Sequence, residues 1–120
     1  MLLSRTFSRN DRLIRCADIN AAHVTPGSTG DFVTLIQRAI TAIDGTEIDR
    51  PELDSATYGP STAAAVLKYK TSRSIINPTY QTKPDDIVGI MTIRSLDAEM
   101  VTLELSSRGR DLIRSPGDID

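Results

Sequence analysis

Acidic side chains are the residues whose type and spacing come closest to catalytic chemistry. Asp49, Glu52 and Asp54 cluster before the middle of the chain, and Asp85 and Asp86 stand side by side further on. Paired carboxylates hydrolyse glycosidic bonds when one of them keeps a proton inside a cleft. The run from Asp49 to Asp54 lacks the mid-loop glycine and terminal glutamate of an EF-hand calcium loop. Without a supporting motif, we expect these acids to be solvated loop residues.

The chain has one cysteine and one histidine, Cys16 and His23, which is too few for the common zinc sites. Those sites take three or four histidine, cysteine or carboxylate ligands. Neither a G-x-S-x-G nucleophile elbow nor a G-x-x-x-x-G-K-[ST] phosphate loop occurs. We therefore expect no enzymatic activity, no metal and no cofactor. Cys16 is expected to be a small buried apolar residue, and His23 is expected to lie at the surface or its boundary.

Any binding site must be positioned by helices, and two of them are predicted by one repeated pattern. The order apolar-Gly-x-x-Thr-x-x-x-aliphatic occurs at 58–66 and again at 88–96. Glycine lets the chain turn into a helix, the threonine follows near the third helical position, and the aliphatic residue shares its face. Pro60 fits the first helical position, where its missing N–H costs nothing. We expect Gly59 and Gly89 to matter for backbone shape, above all where φ is positive.

A third long helix is predicted upstream, where apolar residues recur at spacings of three and four as far as Gly45, which fits the C-cap. Residues 46–57 are polar and predict a loop that turns Ile48 and Leu53 inward. A short helix is expected around residues 11–17. The predicted core consists of Val33, Ile36, Ile40, Val66, Tyr69, Val88 and Leu96.

The order of the three long helices resembles the peptidoglycan-binding-like domain, a three-helix module appended to bacterial cell-wall hydrolases and related proteins. The matching residues are Gly30, Val33, Ile36, Gln37 and Ile40, then Tyr58, Gly59, Thr62, Ala65, Val66 and Tyr69, then Val88, Gly89, Thr92 and Leu96. Two features depart from the family pattern: residues 54–57 lack its usual Asp-Gly pair, and the link at 74–87 is long.

The resemblance implies an all-α protein, a compact three-helix bundle with long loops. It covers about residues 27–100, which leaves residues 1–26 as an N-terminal extension and residues 101–120 as a polar C-terminal tail, loose from residue 106. Gln37 is a matched residue that follows an apolar position. We expect it at the edge of the core, where its amide bonds to a loop backbone.

The resemblance also implies a non-catalytic module that recognises bacterial cell-wall glycopeptide, either peptidoglycan or a muropeptide. Tyr58 and Tyr80 could stack on a sugar ring while their hydroxyls bond to it. Arg73, Asn77 and Gln81 could pair with muropeptide carboxylates and amides. For Tyr58, a place in the core is the stronger expectation, because the family position is an apolar anchor beside the glycine.

Charge and composition further restrict the classes of binding partner that we expect. With 14 basic and 16 acidic residues, the net charge of -2 argues against nucleic acid. Charged residues interrupt every apolar run near the N-terminus, so neither a cleavable signal peptide nor a membrane span is predicted. We expect a cytoplasmic protein, or one exported to the cell envelope by a signal-independent route. The alternative function is a protein-interaction adaptor on the same fold, such as a partner in a bacterial secretion or phage-like injection system.

Overall fold

The protein is all-α, as predicted. A computed structural model describes residues 1–76 and 82–113, with side chains as far as residue 106. Its elements are α1 Asp11–Asp18, a 3-10 turn Asn20–Ala22, α2 Asp31–Asp44, α3 Arg50–Ser55, α4 Pro60–Ser72 and α5 Ile90–Ile113. The described ranges contain isolated β-bridges but no β-strand.

The three long helices predicted from the sequence are α2, α4 and α5, and the predicted short helix is α1. The helix α3 was not expected, because it lies within residues 46–57, which predicted a loop. Five α-helices are therefore present in the described ranges, two more than the predicted bundle has. The extra helices are short, at 8 residues for α1 and 6 for α3, so they carry little periodic signal.

One hydrophobic core joins these helices. The seven predicted core residues are all buried in it: Val33, Ile36, Ile40, Val66, Tyr69, Val88 and Leu96. The N-terminal residues add further buried side chains to the same cluster, namely Leu2, Phe7, Leu13, Cys16, Ala17 and Val24. Residues 1–26, expected as an extension, thus pack as part of the domain, and removing them would open the core.

Two acids of α5 hold the N-terminal segment against that helix. The Asp97 carboxylate accepts hydrogen bonds from the backbone N–H groups of residues 3 and 4 at 2.9 and 2.8 Å. The Glu104 carboxylate accepts from residues 5 and 6 at 2.8 and 3.1 Å. These contacts require α5 to continue beyond residue 100, and it runs to Ile113.

The prediction of a loose tail from residue 106 is therefore wrong for residues 106–113, which are helical. The apolar spacing fades there, and Gly109 suggested a break. A single glycine weakens a helix by only about 1 kcal/mol relative to alanine, and the next proline is Pro116. A polar sequence without a proline can continue a helix that is already anchored.

The segment 24–29 holds the starts of α4 and α5 side by side. Val24 and Val88 exchange two backbone hydrogen bonds of 2.8 and 2.9 Å. Tyr58 exchanges two backbone hydrogen bonds of 2.8 Å with residues 27 and 28. The repeated sequence pattern therefore corresponds to two helix starts that are fixed by the same short stretch of chain.

The glycines before these helices do not have the positive φ that would have explained them. Gly59 has a φ of -99°, and Gly89 is not among the positive-φ glycines. A Cβ added at Gly59 would lie 2.6 Å from Cδ of Glu52, so a close approach requires glycine there. A Cβ at Gly89 would meet nothing within 4 Å. Gly45 has a φ of 69° at the end of α2 and is the predicted C-cap.

Candidate functional site

Tyr58 is a core residue rather than a binding platform. Its ring is only 1% exposed, and its hydroxyl donates to the backbone carbonyl of Asp86. Burial, together with the nearby charges of Asp86 and Asp85, raises the pKa of this hydroxyl. Stacking on a sugar would need an exposed ring face, so the predicted ligand contact by Tyr58 is not supported, and the core alternative is confirmed.

Arg73 already binds carboxylates of its own chain. Its Nε and Nη2 donate to the Glu99 carboxylate at 2.6 and 2.8 Å, and Nη2 also donates to Asp44 at 3.0 Å. The guanidinium lies 3.8 Å from the centroid of the Tyr69 ring. The hydrogen bonds from Arg73 lower the pKa of Glu99. A ligand carboxylate would have to displace one of these partners, so the predicted clamp is occupied within the fold.

The other three predicted contacts, Asn77, Tyr80 and Gln81, lie outside the described residues. Among the five predicted site residues, the structure thus places Tyr58 in the core and Arg73 in an internal ion-pair cluster. It does not bring these two together at one site. A candidate site has to be built from other residues.

Glu52 is the polar residue that the sequence interpretation missed. It was expected to be solvated, but it is only 9% exposed. Its carboxylate accepts from the N–H groups of Gly59, Ser61 and Thr62 at 3.1, 2.9 and 2.9 Å, and from the Thr62 hydroxyl at 2.7 Å. Burial alone would raise the pKa of Glu52, but the hydrogen bonds from Ser61 and Thr62 outweigh it and lower the pKa to about 2.

The same arrangement explains why the prediction for Leu53 is wrong. This side chain was expected to turn inward, but it is 37% exposed. Gly59 precedes α4 and has no side-chain oxygen to cap the helix, so an acceptor must come from elsewhere in the chain. Glu52 supplies it and takes the inward position of α3. The sequence signal for this cap is a helix that starts with Gly-Pro, which offers no capping side chain, and an acidic residue a few positions upstream.

Gln37 lies beside this cap, and its amide bonds to a loop backbone, as predicted. It is fully buried, and its Nε2 donates to the Thr57 carbonyl at 3.1 Å and to the Thr62 hydroxyl at 3.0 Å. Since the same Thr62 hydroxyl donates to Glu52, the three side chains form one hydrogen-bonded chain from α2 through α4 to α3. The matched Gln and Thr of the sequence pattern are thus structural at the start of α4.

The start of α5 differs, because a cavity of about 440 Å³ opens there. It is lined by residues 89–92 of the second sequence pattern. Its apolar lining residues are Ile75, Ile76, Ile87, Ile90 and Met91, and its polar lining residues are Asn20, His23, Lys70, Asp85 and Thr92. Gly89 is one of the lining residues, and a Cβ added at that position would meet nothing within 4 Å.

Lys70 is the buried cation of this cavity and was not predicted as a site residue. It is 5% exposed, and its Nζ donates to Asp85 at 2.6 Å and to the Ile87 carbonyl at 2.7 Å. These bonds tie residues 85–87 to α4. His23 is exposed at the rim, as predicted, with Nδ1 2.8 Å from the Asn20 carbonyl.

Within the part of the chain that the structure describes, no group of three histidine, cysteine or acidic side chains could hold a metal ion.

The buried Cys16 thiol lies 3.4 Å from the Val88 carbonyl, to which it donates, and burial raises its pKa to about 11. A thiol with that pKa is a poor nucleophile near neutral pH.

No helix in the described ranges is both long and apolar enough to cross a membrane.

Comparison with protein-family models, with curated proteins and with solved structures finds no match to this chain.

Proposed function

We propose that this protein is a non-catalytic binding module, built on a fold of the peptidoglycan-binding type, that recognises bacterial cell-wall glycopeptide. The ligand is peptidoglycan or a muropeptide, and the site is the cavity at the start of α5. One observation carries the proposal: the second copy of the pattern that resembles the family, at residues 89–92, lines that cavity.

The cavity has the size and character of a binding site. Its volume of about 440 Å³ falls in the range of about 300–1,000 Å³ that small-ligand sites occupy. Such sites are mostly apolar and carry a few polar groups that orient the ligand. Glycopeptide offers both features, because its acetyl, lactyl and alanyl methyl groups alternate with amides and carboxylates.

The contrast between the two helix starts supports the same assignment. At α4 the pattern is closed by Glu52 and by the buried Tyr58, so it leaves no room for a ligand. At α5 the position equivalent to Gly59 is Gly89, where an added Cβ meets nothing within 4 Å. The first copy of the pattern is therefore closed by its own chain, and the second borders the cavity.

The test is co-sedimentation of the purified protein with intact bacterial sacculi, with insoluble chitin as the matched control. Chitin presents N-acetylated sugar without peptide. We expect saturable pelleting with sacculi, weaker pelleting with chitin, and no soluble fragments in the supernatant. Release of fragments that Asp85→Asn abolishes would contradict the non-catalytic assignment.

A second candidate function, an adaptor for a bacterial protein, is favoured by exposed apolar side chains at the cavity. Met91 lines it and is 51% exposed, and Ile19, next to the lining residue Asn20, is 49% exposed. Methionine is enriched at protein interfaces. In this case we expect the protein to stay in the supernatant when it is centrifuged with sacculi. We also expect it to form a saturable complex with one protein of a bacterial lysate.

A further inference from the structure

Four exposed apolar side chains gather where the N-terminal segment, α1 and the start of α5 meet. They are Met1, Leu3, Ile19 and Met91, and they make up half of the large apolar side chains that are exposed in the described ranges. We call these four residues the N-terminal patch. Exposed apolar residues that are scattered singly are normal, whereas a cluster of them marks a binding surface.

The carboxylate of Asp18 brings the parts of this patch together. Its Oδ1 lies 3.6 Å from the Met1 backbone nitrogen and 3.4 Å from Nη2 of Arg94. Ile19 directly follows Asp18, and Met91 lies one turn before Arg94 on the same face of α5. Met1, Ile19 and Met91 are therefore grouped around a single ion-pair cluster.

Leu3 extends the patch further along α5. Its N–H donates to Asp97, which lies one turn after Arg94. Leu3 is 70% exposed and Met1 is 85% exposed, so both side chains protrude from the surface instead of lining a groove. Protruding apolar side chains suit insertion at a lipid interface, whereas a partner protein packs closely against the patch that it binds.

Exposed cations border the patch. Residues 1–19 contain four arginines against two aspartates, a net charge of +2, although the whole chain has a net charge of -2. Arg15 lies one turn before Ile19, and Arg5 follows Leu3 by two residues. Both arginines are exposed, and neither has an ion pair within the described residues.

The acids at the patch are already engaged. Asp18 belongs to the ion-pair cluster, while Asp97 and Glu104 accept hydrogen bonds from backbone N–H groups of the N-terminal segment. The other acid among residues 1–19, Asp11, lies about two turns of α1 away from Asp18. In the described chain, the unpaired charges that border the patch are therefore positive, which favours an anionic partner.

We propose that the N-terminal patch binds the surface of an anionic phospholipid bilayer, with Met1, Leu3 and Ile19 inserted at the interface and with Arg5 and Arg15 paired with lipid phosphate groups. Arginine suits this role, because its stem lies along apolar groups while its guanidinium bonds to phosphate. Buried apolar area and attraction to anionic headgroups together set the strength of such binding. The inference goes beyond the proposed function and does not depend on it.

The ligand test is co-sedimentation of the full chain with vesicles of phosphatidylglycerol and phosphatidylcholine in equal parts. Vesicles of phosphatidylcholine alone are the matched control. We expect saturable binding to the anionic vesicles and roughly tenfold weaker binding to the neutral ones. We also expect most of the binding to be lost when the salt concentration is raised from about 50 mM to about 500 mM, because salt screens exposed charges.

The variant test compares Leu3→Gln with Leu67→Gln, and Arg15→Gln with Arg38→Gln. Both residues of each pair are exposed and undergo the same change, but only the first belongs to the patch or its border. We expect Leu3→Gln and Arg15→Gln each to weaken binding to anionic vesicles roughly fivefold, and both controls to bind like wild type. If Leu3→Gln does not fold, Ile19→Gln takes its place with the same expected loss.

Equal binding to both kinds of vesicle, absence of binding, or equal losses in the patch and control variants would overturn the inference. A dimer that Leu3→Gln dissociates would also overturn it, because a second copy would then cover the patch. A sacculus isotherm separates the inference from the proposed function, since we expect Leu3→Gln and Arg15→Gln to bind sacculi like wild type. Loss of sacculus binding in both variants would make the patch a wall-binding surface and would overturn the lipid assignment.

Discussion

Glu52→Gln tests the cap of α4, which is made by a carboxylate whose residue is only 9% exposed. The substitution keeps the side-chain shape but removes the negative charge, and it can turn an amide NH₂ toward the N–H groups of Gly59, Ser61 and Thr62. In the native protein the Glu52 carboxylate accepts four hydrogen bonds from three residues at 2.7–3.1 Å. The variant leaves part of this buried set of donors without an acceptor.

The magnitude follows from the pKa of Glu52. It is lowered from 4.5 to about 2, and one pKa unit corresponds to about 1.4 kcal/mol. The charged carboxylate therefore stabilises the fold by about 3 kcal/mol relative to the protonated form. For a chain of this length, a loss of that size lowers Tm by about 10 °C.

The sign of the pH dependence is fixed by the lowered pKa of the folded state. The stabilisation is fully present above the ordinary carboxyl pKa of 4.5 and is lost as the pH falls toward about 2. We expect the difference in Tm between wild type and Glu52→Gln to be largest at pH 7 and to narrow steadily below pH 4.5.

The assay is thermal unfolding followed by circular dichroism at several pH values. Asp54→Asn is the matched control, because Asp54 lies on the same helix and is exposed. We expect this control to melt close to wild type at every pH. A Glu52→Gln protein that melts within about 2 °C of wild type at pH 7 would refute the role of Glu52 as the cap.

Three further predictions concern the core and the helix starts. Val66→Asp buries an unpaired charge at a fully buried position and should unfold the domain, so a melting temperature within a few degrees of wild type would contradict the packing. Gly59→Ala should be clearly destabilised in a denaturant titration, because its Cβ would lie 2.6 Å from Cδ of Glu52. In Gly89→Ala the added Cβ meets no atom within 4 Å, so this variant should lose only the small capping preference for glycine. Cys16, with a pKa of about 11, should resist iodoacetamide at pH 8 until the protein is unfolded, and rapid alkylation of the folded protein would show that the thiol is accessible.

The long helices could be predicted because their signals are local. Glycine, proline and threonine mark the starts of α4 and α5, and aliphatic residues at spacings of three and four identify the buried faces. The same spacing placed Val66 and Leu96 in the core, where the structure has them. Such patterns need no knowledge of the rest of the chain.

The missed features depend on partners that are distant in sequence. Glu52 and Leu53 are adjacent, and hydrophobicity alone favoured turning the leucine inward. The acid is buried instead, because N–H groups at the start of α4 need an acceptor. Similarly, Asp97 binds the backbone of Leu3, which is 94 residues away, and no local pattern predicts that pairing. The role of Lys70 was missed for the same reason, because its partner Asp85 lies 15 residues further along the chain.

The most direct test of the central claim is a binding isotherm on intact sacculi for Met91→Glu and for Leu67→Glu. The two side chains are similarly exposed, at 51% and 41%, and both variants add one negative charge, but only Met91 lines the cavity at the start of α5. We predict that Leu67→Glu binds sacculi like wild type and that Met91→Glu binds roughly tenfold more weakly with an unchanged Tm. Equal binding by the two variants would contradict the assignment of this cavity as the wall-binding site.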